Sequence, residues 1–213
     1  MFRKILIWSI ALLALGYVAC AIFLDVEQRT LLYFPQYTHV EPGQTNFALQ
    51  RGAVTLRGWV MHPGQSRALI YFGGNGDAVQ TMREDYARWA SDRTVYLLAY
   101  RGYGASDGAP TEAALFGDAL ALYDDVRTRQ QDIAVVGRSL GSGVATWLAA
   151  QRPLQKLVLV IAAEDDRVVP AASTARLMET FSPRPQYIRL DHTGHGNIVN
   201  DPAYAAAVTN FLR

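Results

Sequence analysis

The sequence is poor in the residues that build cross-links, metal sites and phosphate-binding surfaces. Its one cysteine, Cys20, stands inside an apolar run. No disulfide can therefore form within the chain, and neither a cysteine-based zinc site nor a redox pair can be assembled. Charge is nearly balanced, with 20 basic against 19 acidic side chains. Without clustered positive charge there is no footprint for phosphates, and no nucleic-acid partner is expected. Internal repeats and low-complexity tracts are absent, and glycine and proline are at ordinary levels, which excludes a disordered chain. Only four histidines occur, His39, His62, His192 and His195, so chemistry that needs an imidazole has few candidates.

What the chain has is apolar residues, half of the 213. That suits one buried core with an appendage. The appendage is the N-terminus. Ile5 to Leu24 carries no charge, and as a helix those residues span about 30 Å, the thickness of the hydrocarbon core of a bilayer. Arg3 and Lys4 precede the run, and Asp25 and Glu27 follow it. Positive charge stays on the cytoplasmic side, so the expected arrangement is a single-pass anchor with the bulk of the chain on the outer, periplasmic or lumenal, side. A cleaved signal peptide and a lipoprotein signal ending at Cys20 are the alternatives. The apolar run is longer than the roughly 7–15 residues of a signal peptide, and it stays apolar past Cys20 through Leu24. The expected organisation is an anchor over 1–24 and a soluble domain over 25–213.

The soluble part alternates short apolar runs with longer amphipathic ones. Strands are expected at Ala53–Val60, Ala68–Phe72, Thr94–Tyr100, Ile133–Val136, Lys156–Ala162 and Gln186–Leu190. Helices are expected at Ala78–Ala90, Thr111–Gln130, Leu140–Gln151, Ala171–Phe181 and Asn200–Arg213. Thr111 is placed to cap its helix, with Pro110 before it and Glu112 in the first turn. Continuous apolar strands alternating with helices predict a mostly parallel sheet covered on both faces, an α/β fold whose reactive groups gather at the carboxyl ends of the strands.

At one such end stands Gly137-Arg138-Ser139-Leu140-Gly141, which fits G-x-S-x-G between a strand and a helix. That is the context a nucleophile elbow requires. The tight turn needs small residues on either side of the serine, and it aims the helix N-terminus at the site, which favours developing negative charge. A plain Gly-rich turn is the bland alternative. A serine nucleophile needs a base, and the base needs an orienting acid. With the chain order Ser, acid, His, the base is His195, in Gly194-His195-Gly196, with His192 as alternative. The acid should end the strand before it. Asp166 is the first choice, with Asp165 and Glu164 beside it. An oxyanion hole would draw one N–H from Leu140, directly after the nucleophile, and one from Asn75 in Gly73-Gly74-Asn75-Gly76. That glycine loop lacks the lysine and spacing of a P-loop.

Several of these stretches, in order, resemble the membrane-anchored α/β-hydrolase-domain family. Tyr100 to Gly108 (YRGYGASDG) looks like its YRGYGxSxG signature, and Gly137 to Gly143 like its elbow. Tyr71 to Asn75 (YFGGN) is similar to its YFHGN strand end, with Gly73 where histidine is more usual. Asp166 to Pro170 (DRVVP), Gly194-His195 and Leu32 to Pro35 (LYFP) match further stretches. The resemblance implies the α/β-hydrolase fold and hydrolysis of esters or thioesters, without cofactor or metal. Some relatives are handled as serine aminopeptidase-like, and others remove acyl groups from proteins. A peptidase, or an inactive anchored binding protein, are the rival readings.

One departure stands out. Only 26 residues separate Ser139 from Asp166, far fewer than the family carries. A lid or connecting segment is expected to be missing, with the two half-strands that flank it fused. The fused strand would then take the place beside the elbow strand, one spacing of about 4.8 Å nearer the serine. The expected site is open, nearly lidless and suited to short acyl groups.

Overall fold

The computed structural model describes residues 2–154, 159–169, 171–179 and 186–212. The chain forms two compact units, 1–34 and 35–213. The first is a helix, α1 (Phe2–Leu32). Its apolar stretch is long enough to cross a membrane. The helix continues past Leu24, where the uncharged run ends, because nothing between Asp25 and Leu32 breaks it. The first proline downstream is Pro35, and Gln28 bonds back to the carbonyl of Asp25 at 2.8 Å.

In the second unit, β1 (Phe47–Arg51), β2 (Val54–Met61), β3 (Arg67–Phe72), β4 (Thr94–Leu98) and β5 (Asp132–Gly137) form a five-stranded sheet. Its order is β1-β2-β4-β3-β5. β4, β3 and β5 run parallel, while β2 is antiparallel to both β1 and β4. The helices are α2 (Arg83–Trp89), α3 (Glu112–Arg127), α4 (Leu140–Gln151), α5 (Ala171–Met178) and α6 (Pro202–Leu212). Ala68 to Phe72 and Thr94 to Leu98 are all buried. Successive strand residues point to opposite faces, so helices must cover both. α2 packs with α6 on one face, and α3 with α4 on the other. Tyr71, Tyr86 and Tyr204 stack or bond in a chain under α2 and α6. Thr111 caps α3, its hydroxyl accepting the Ala114 amide at 3.1 Å.

Sequence periodicity misses β1, a short edge strand with every second residue exposed. It also overextends several ends. A 3-10 turn at Val79–Met82 precedes the shorter α2, and α3 stops at Arg127 rather than Gln130. The last helix starts at Pro202. Residues 156–158 of the expected strand and 180–181 of the expected helix lie outside the described residues.

The main correction concerns β6 (Leu159–Ala163). It pairs in parallel with β7 (Gln186–Leu190) and forms a separate two-stranded sheet. Among the described residues it does not pair with β5 as expected. β6, followed by the loop with Asp166, lies beside β7, followed by the loop with His195, and among the described residues the unpaired edge falls between β5 and β6.

The amino ends of β3 and β5 are tied to the end of α6 by a buried charge cluster. Arg93, with no exposed surface, donates to Asp132 Oδ1 at 3.0 Å and to the carbonyls of Ala68 and Leu212 at 3.2 and 2.9 Å. Arg67 donates to Asp132 Oδ2 at 2.8 Å. Burial pushes the Asp132 carboxyl up, but Arg67 and Arg93 outweigh it and hold the group below the usual carboxylate range. A carboxyl depressed in the folded state stabilises the fold above its unfolded value of about 3.9, and that contribution is lost as pH falls through the folded value. Asp132→Asn is therefore expected to cost about 2 kcal/mol at pH 7, since Arg93 keeps its two carbonyls but loses its counter-charge. The difference from wild type shrinks as pH falls below about 4. Urea unfolding of both proteins across pH 3–7 measures it.

Candidate active site

Ser139 sits between β5 and α4 with φ 50° and ψ −117°. A non-glycine residue held there costs about 1–3 kcal/mol. The turn is kept by two glycines with no room for a side chain. A Cβ on Gly137 would overlap the Gly141 carbonyl, and one on Gly141 would overlap the carbonyl of Phe72. The amides of Gly141 and Ser142 bond to the carbonyls of Arg138 and Ser139 at 2.8 and 2.9 Å. Leu140 is the first residue of α4, so its N–H has no acceptor inside the helix.

The loops after β6 and β7 are joined to each other. The Glu164 amide bonds to the Leu190 carbonyl and the Asp165 amide to that of Thr193, both at 2.9 Å. Asp166 then points its carboxylate at the loop holding His195. Its Oδ2 lies 2.7 Å from His195 Nδ1, and His195 Nε2 lies 2.9 Å from Ser139 Oγ. Oδ1 of Asp166 accepts the amides of Val168 and Val169, each at 2.8 Å. Burial pushes the Asp166 carboxyl up, but the Val169 amide, the His195 ring and the Val168 amide more than offset this. It therefore lies below the usual carboxylate range. An ionised Asp166 can only accept, so the neutral imidazole carries its proton on Nδ1 and presents Nε2 as an acceptor to the serine hydroxyl. Of the sequence alternatives, His192 sits exposed in the turn after β7 at φ 57°. Glu164 lies 3.6 Å from Arg189.

The Gly73-Gly74-Asn75 loop runs past the nucleophile, and a Cβ on Gly74 would lie 3.3 Å from that of Ser139. A Cβ on Gly73 would come within 2.6 Å of Val79, so the histidine more usual there has no space. The amide of Gly74 is spent on Asp77 Oδ2 at 3.0 Å, which leaves Asn75 as the next candidate donor. Three side chains hold this loop that the motif spacing does not single out. The hydroxyls of Tyr100 and Tyr103 donate to the Gly73 carbonyl at 3.0 Å and the Asn75 side-chain oxygen at 2.6 Å. Two tyrosines of the YRGYG run thus hold the Gly73-Gly74-Asn75 loop. Asp77 also takes Arg138 at 2.7 Å and the Tyr71 hydroxyl at 3.0 Å, linking loop to elbow. Burial first, then Asp77 beside it, pushes the Tyr71 phenol well up, so it stays a donor. The one hint in the sequence is a charged residue, Arg138, inside the elbow.

Below the triad lies a cavity of about 340 Å³. Val135 and Val136 of β5 form one wall, Ile161 and Ala162 of β6 another, with Ser139 and His195 at its mouth. Among the described residues no group of three or more His, Cys, Asp or Glu side chains is placed to hold a metal ion.

No family model matches the sequence. An uncharacterised protein of Mycobacterium tuberculosis is 28% identical over 251 residues, covering 91% of this chain and 88% of the relative. Protein bem46 of Schizosaccharomyces pombe is 31% identical over 167 residues, 67% of this chain and 53% of its own length. The lysophosphatidylserine lipase ABHD12 of Danio rerio is 45% identical over a 56-residue stretch, 25% of this chain and 15% of the relative. Among solved structures, a hydrolase from Pseudomonas aeruginosa superposes with a TM-score of 0.68 at 17% identity, covering 78% of this chain and 97% of that one. A serine hydrolase without a lid from Xanthomonas campestris gives 0.63 at 17% identity, covering 78% and 92%.

The elbow glycines make a sharp contrast with a third. Gly141→Ala is expected to lose more than about 3 kcal/mol, since backbone on both sides must shift. Gly143, also in α4, has open space around its would-be Cβ, so Gly143→Ala is expected to gain about 0.5–1 kcal/mol. Thermal unfolding of the two variants reads both signs.

Proposed function

The chain belongs to the α/β-hydrolase-domain family, and from that premise we propose that it is a serine hydrolase cleaving an ester or thioester through an acyl-enzyme. The observation that carries this reading is the continuous chain from Ser139 Oγ through His195 to Asp166, at 2.9 and 2.7 Å. His195 Nε2 takes the hydroxyl proton as Oγ attacks the substrate carbonyl. Asp166 holds the imidazole in the tautomer this needs and stabilises the imidazolium that forms. The N–H groups of Leu140 and Asn75 receive the oxyanion. Loss of one such donor costs about 10²–10³ in rate. The imidazolium returns its proton to the departing alcohol or thiol, and water, deprotonated by the same nitrogen, releases the acid.

The shortened interval between nucleophile and acid agrees with two observations. The alignment to the mycobacterial relative runs over 251 positions, more than the 213 residues of this chain, so it contains gaps on this side. The acid strand is also unpaired with the elbow strand. A relative named as a lysophosphatidylserine lipase favours a lipid-derived ester as substrate. The charge flanking α1, Arg3 and Lys4 before and Asp25 and Glu27 after, favours an anchor that leaves the hydrolase unit on the outer side of the membrane.

The test is covalent labelling of the intact chain by a fluorophosphonate, together with hydrolysis of a p-nitrophenyl ester. Ser139→Ala is expected to abolish both, and Asp166→Asn to lower kcat by about 10⁴. Absence of labelling in the wild type would favour an inactive binding protein.

A further inference from the structure

We propose that the gap between β5 and β6 is the acyl-chain pocket of this enzyme and that it takes a chain of about eight to ten carbons; this rests on the serine hydrolase reading above. Two edges face each other here without pairing, β5 of the large sheet and β6 of the small one. Val135 and Val136 are neighbours and point to opposite faces of β5, yet both line the cavity. A space that opens along the unpaired edge of β5 touches both. Its far walls agree, since Ala145 and Thr146 of α4 line it on one side and Tyr204 and Val208 of α6 on the other. The two helices cover different faces of the sheet. The cavity is therefore a slot the width of an absent strand. It belongs to the vacancy that the short Ser139–Asp166 interval leaves.

The slot begins at the reacting atoms and descends from them. Val135 lies four residues before Ser139, and Ile161 five before Asp166. At about 3.3 Å per strand residue the four steps from Ser139 to Val135 span at most about 13 Å, and the turn at the elbow shortens them, so the floor, the deepest lining residue of β5, is roughly 10–13 Å below the serine. A saturated chain, with bonds of about 1.5 Å and angles near 111°, advances about 1.25 Å per carbon, so eight to ten carbons reach the floor. The volume falls within the range of about 300–1,000 Å³ typical of small-ligand sites. Apart from Arg138, Ser139, Asp166 and His195, the described lining side chains are apolar except for Ser142, Thr146, Thr174 and Tyr204, and the Tyr204 hydroxyl is 3.4 Å from that of Tyr86. Among the described residues no charged side chain other than Arg138 and Asp166 lines the slot, and each has a partner, Asp77 and His195 respectively. Such walls accept a hydrocarbon and offer nothing to a second charge. The expectation of short acyl groups follows from the missing lid alone and omits the space that opens between the strands.

The experiment is a chain-length profile on the full chain in detergent, using p-nitrophenyl esters from acetate to palmitate. kcat/KM is expected to rise by up to about threefold per methylene to eight or ten carbons, then to fall. Two variants fill the slot from opposite walls, Thr146→Leu from α4 and Ala162→Leu from β6. Each is expected to lower the ratio of octanoate to acetate turnover at least tenfold. Using two walls guards against one variant failing to fold, and fluorophosphonate labelling reports an intact triad in each. An enzyme that labels and hydrolyses esters but prefers acetate or butyrate, or whose ratio is unmoved by both variants, overturns the pocket and leaves the serine hydrolase standing. A wild type that neither labels nor hydrolyses any ester overturns both.

Discussion

Two backbone hydrogen bonds between the loops after β6 and β7 constrain everything around the site. With the Glu164 amide held by Leu190 and the Asp165 amide by Thr193, acid and base travel as one unit. β6 and β7 are in register along their whole length, so Asp166 cannot move toward the serine without carrying His195. Among the described residues β5 and β6 do not pair, so the opening lies between them. Leaving it between β6 and β7 would part the carboxylate from the imidazole, a charge-assisted contact that works only at hydrogen-bond distance. Leaving it between β5 and β6 separates only backbone edges, and the side chain of His195 bridges the opening to Ser139.

The other half of the site is held by different means. The elbow is a strained turn that persists because surrounding structure over-determines it. Gly137 and Gly141 supply the clearance, β5 lies against β3, and Asp77 ties Arg138 to the loop that passes the nucleophile. Tyr100 and Tyr103 brace that loop from the far side. The YRGYG run is thus a support for the Gly73-Gly74-Asn75 loop as well as a turn. Its Arg101 is itself fixed by a bidentate pair with the buried Asp118 at 2.6 and 2.8 Å. Ser139 and the loop past it are tied together through Asp77, and Asp166 and His195 through the loops after β6 and β7.

Much of this was legible in the chain. The strand–glycine–serine–glycine–helix run is a local pattern, and the fold around Ser139 follows from the volume those glycines lack. The identity of the base could be narrowed to two histidines by chain order alone. Asp166 among three adjacent carboxylates was less secure, because the choice depends on which side chain the loop turns inward. Here the amides of Val168 and Val169 decide it by taking Oδ1. Asp77 was invisible for a similar reason. Its partners Gly74 and Tyr71 are three and six residues away, but Arg138, which links the loop to the elbow, is 61 residues away, and no short-range spacing reports that contact.

The sequence by itself determined the apolar N-terminal helix, the alternation of buried strands with helices, and the elbow at Ser139. These depend on periodicity, on charge and on side-chain size, which act between near neighbours. Only the tertiary structure decided which strand β6 joins, and therefore where the shortened chain leaves its opening. Strand pairing is a choice among distant partners with similar backbones, and the β6–β7 pairing found here keeps the Asp166 carboxylate against the His195 ring.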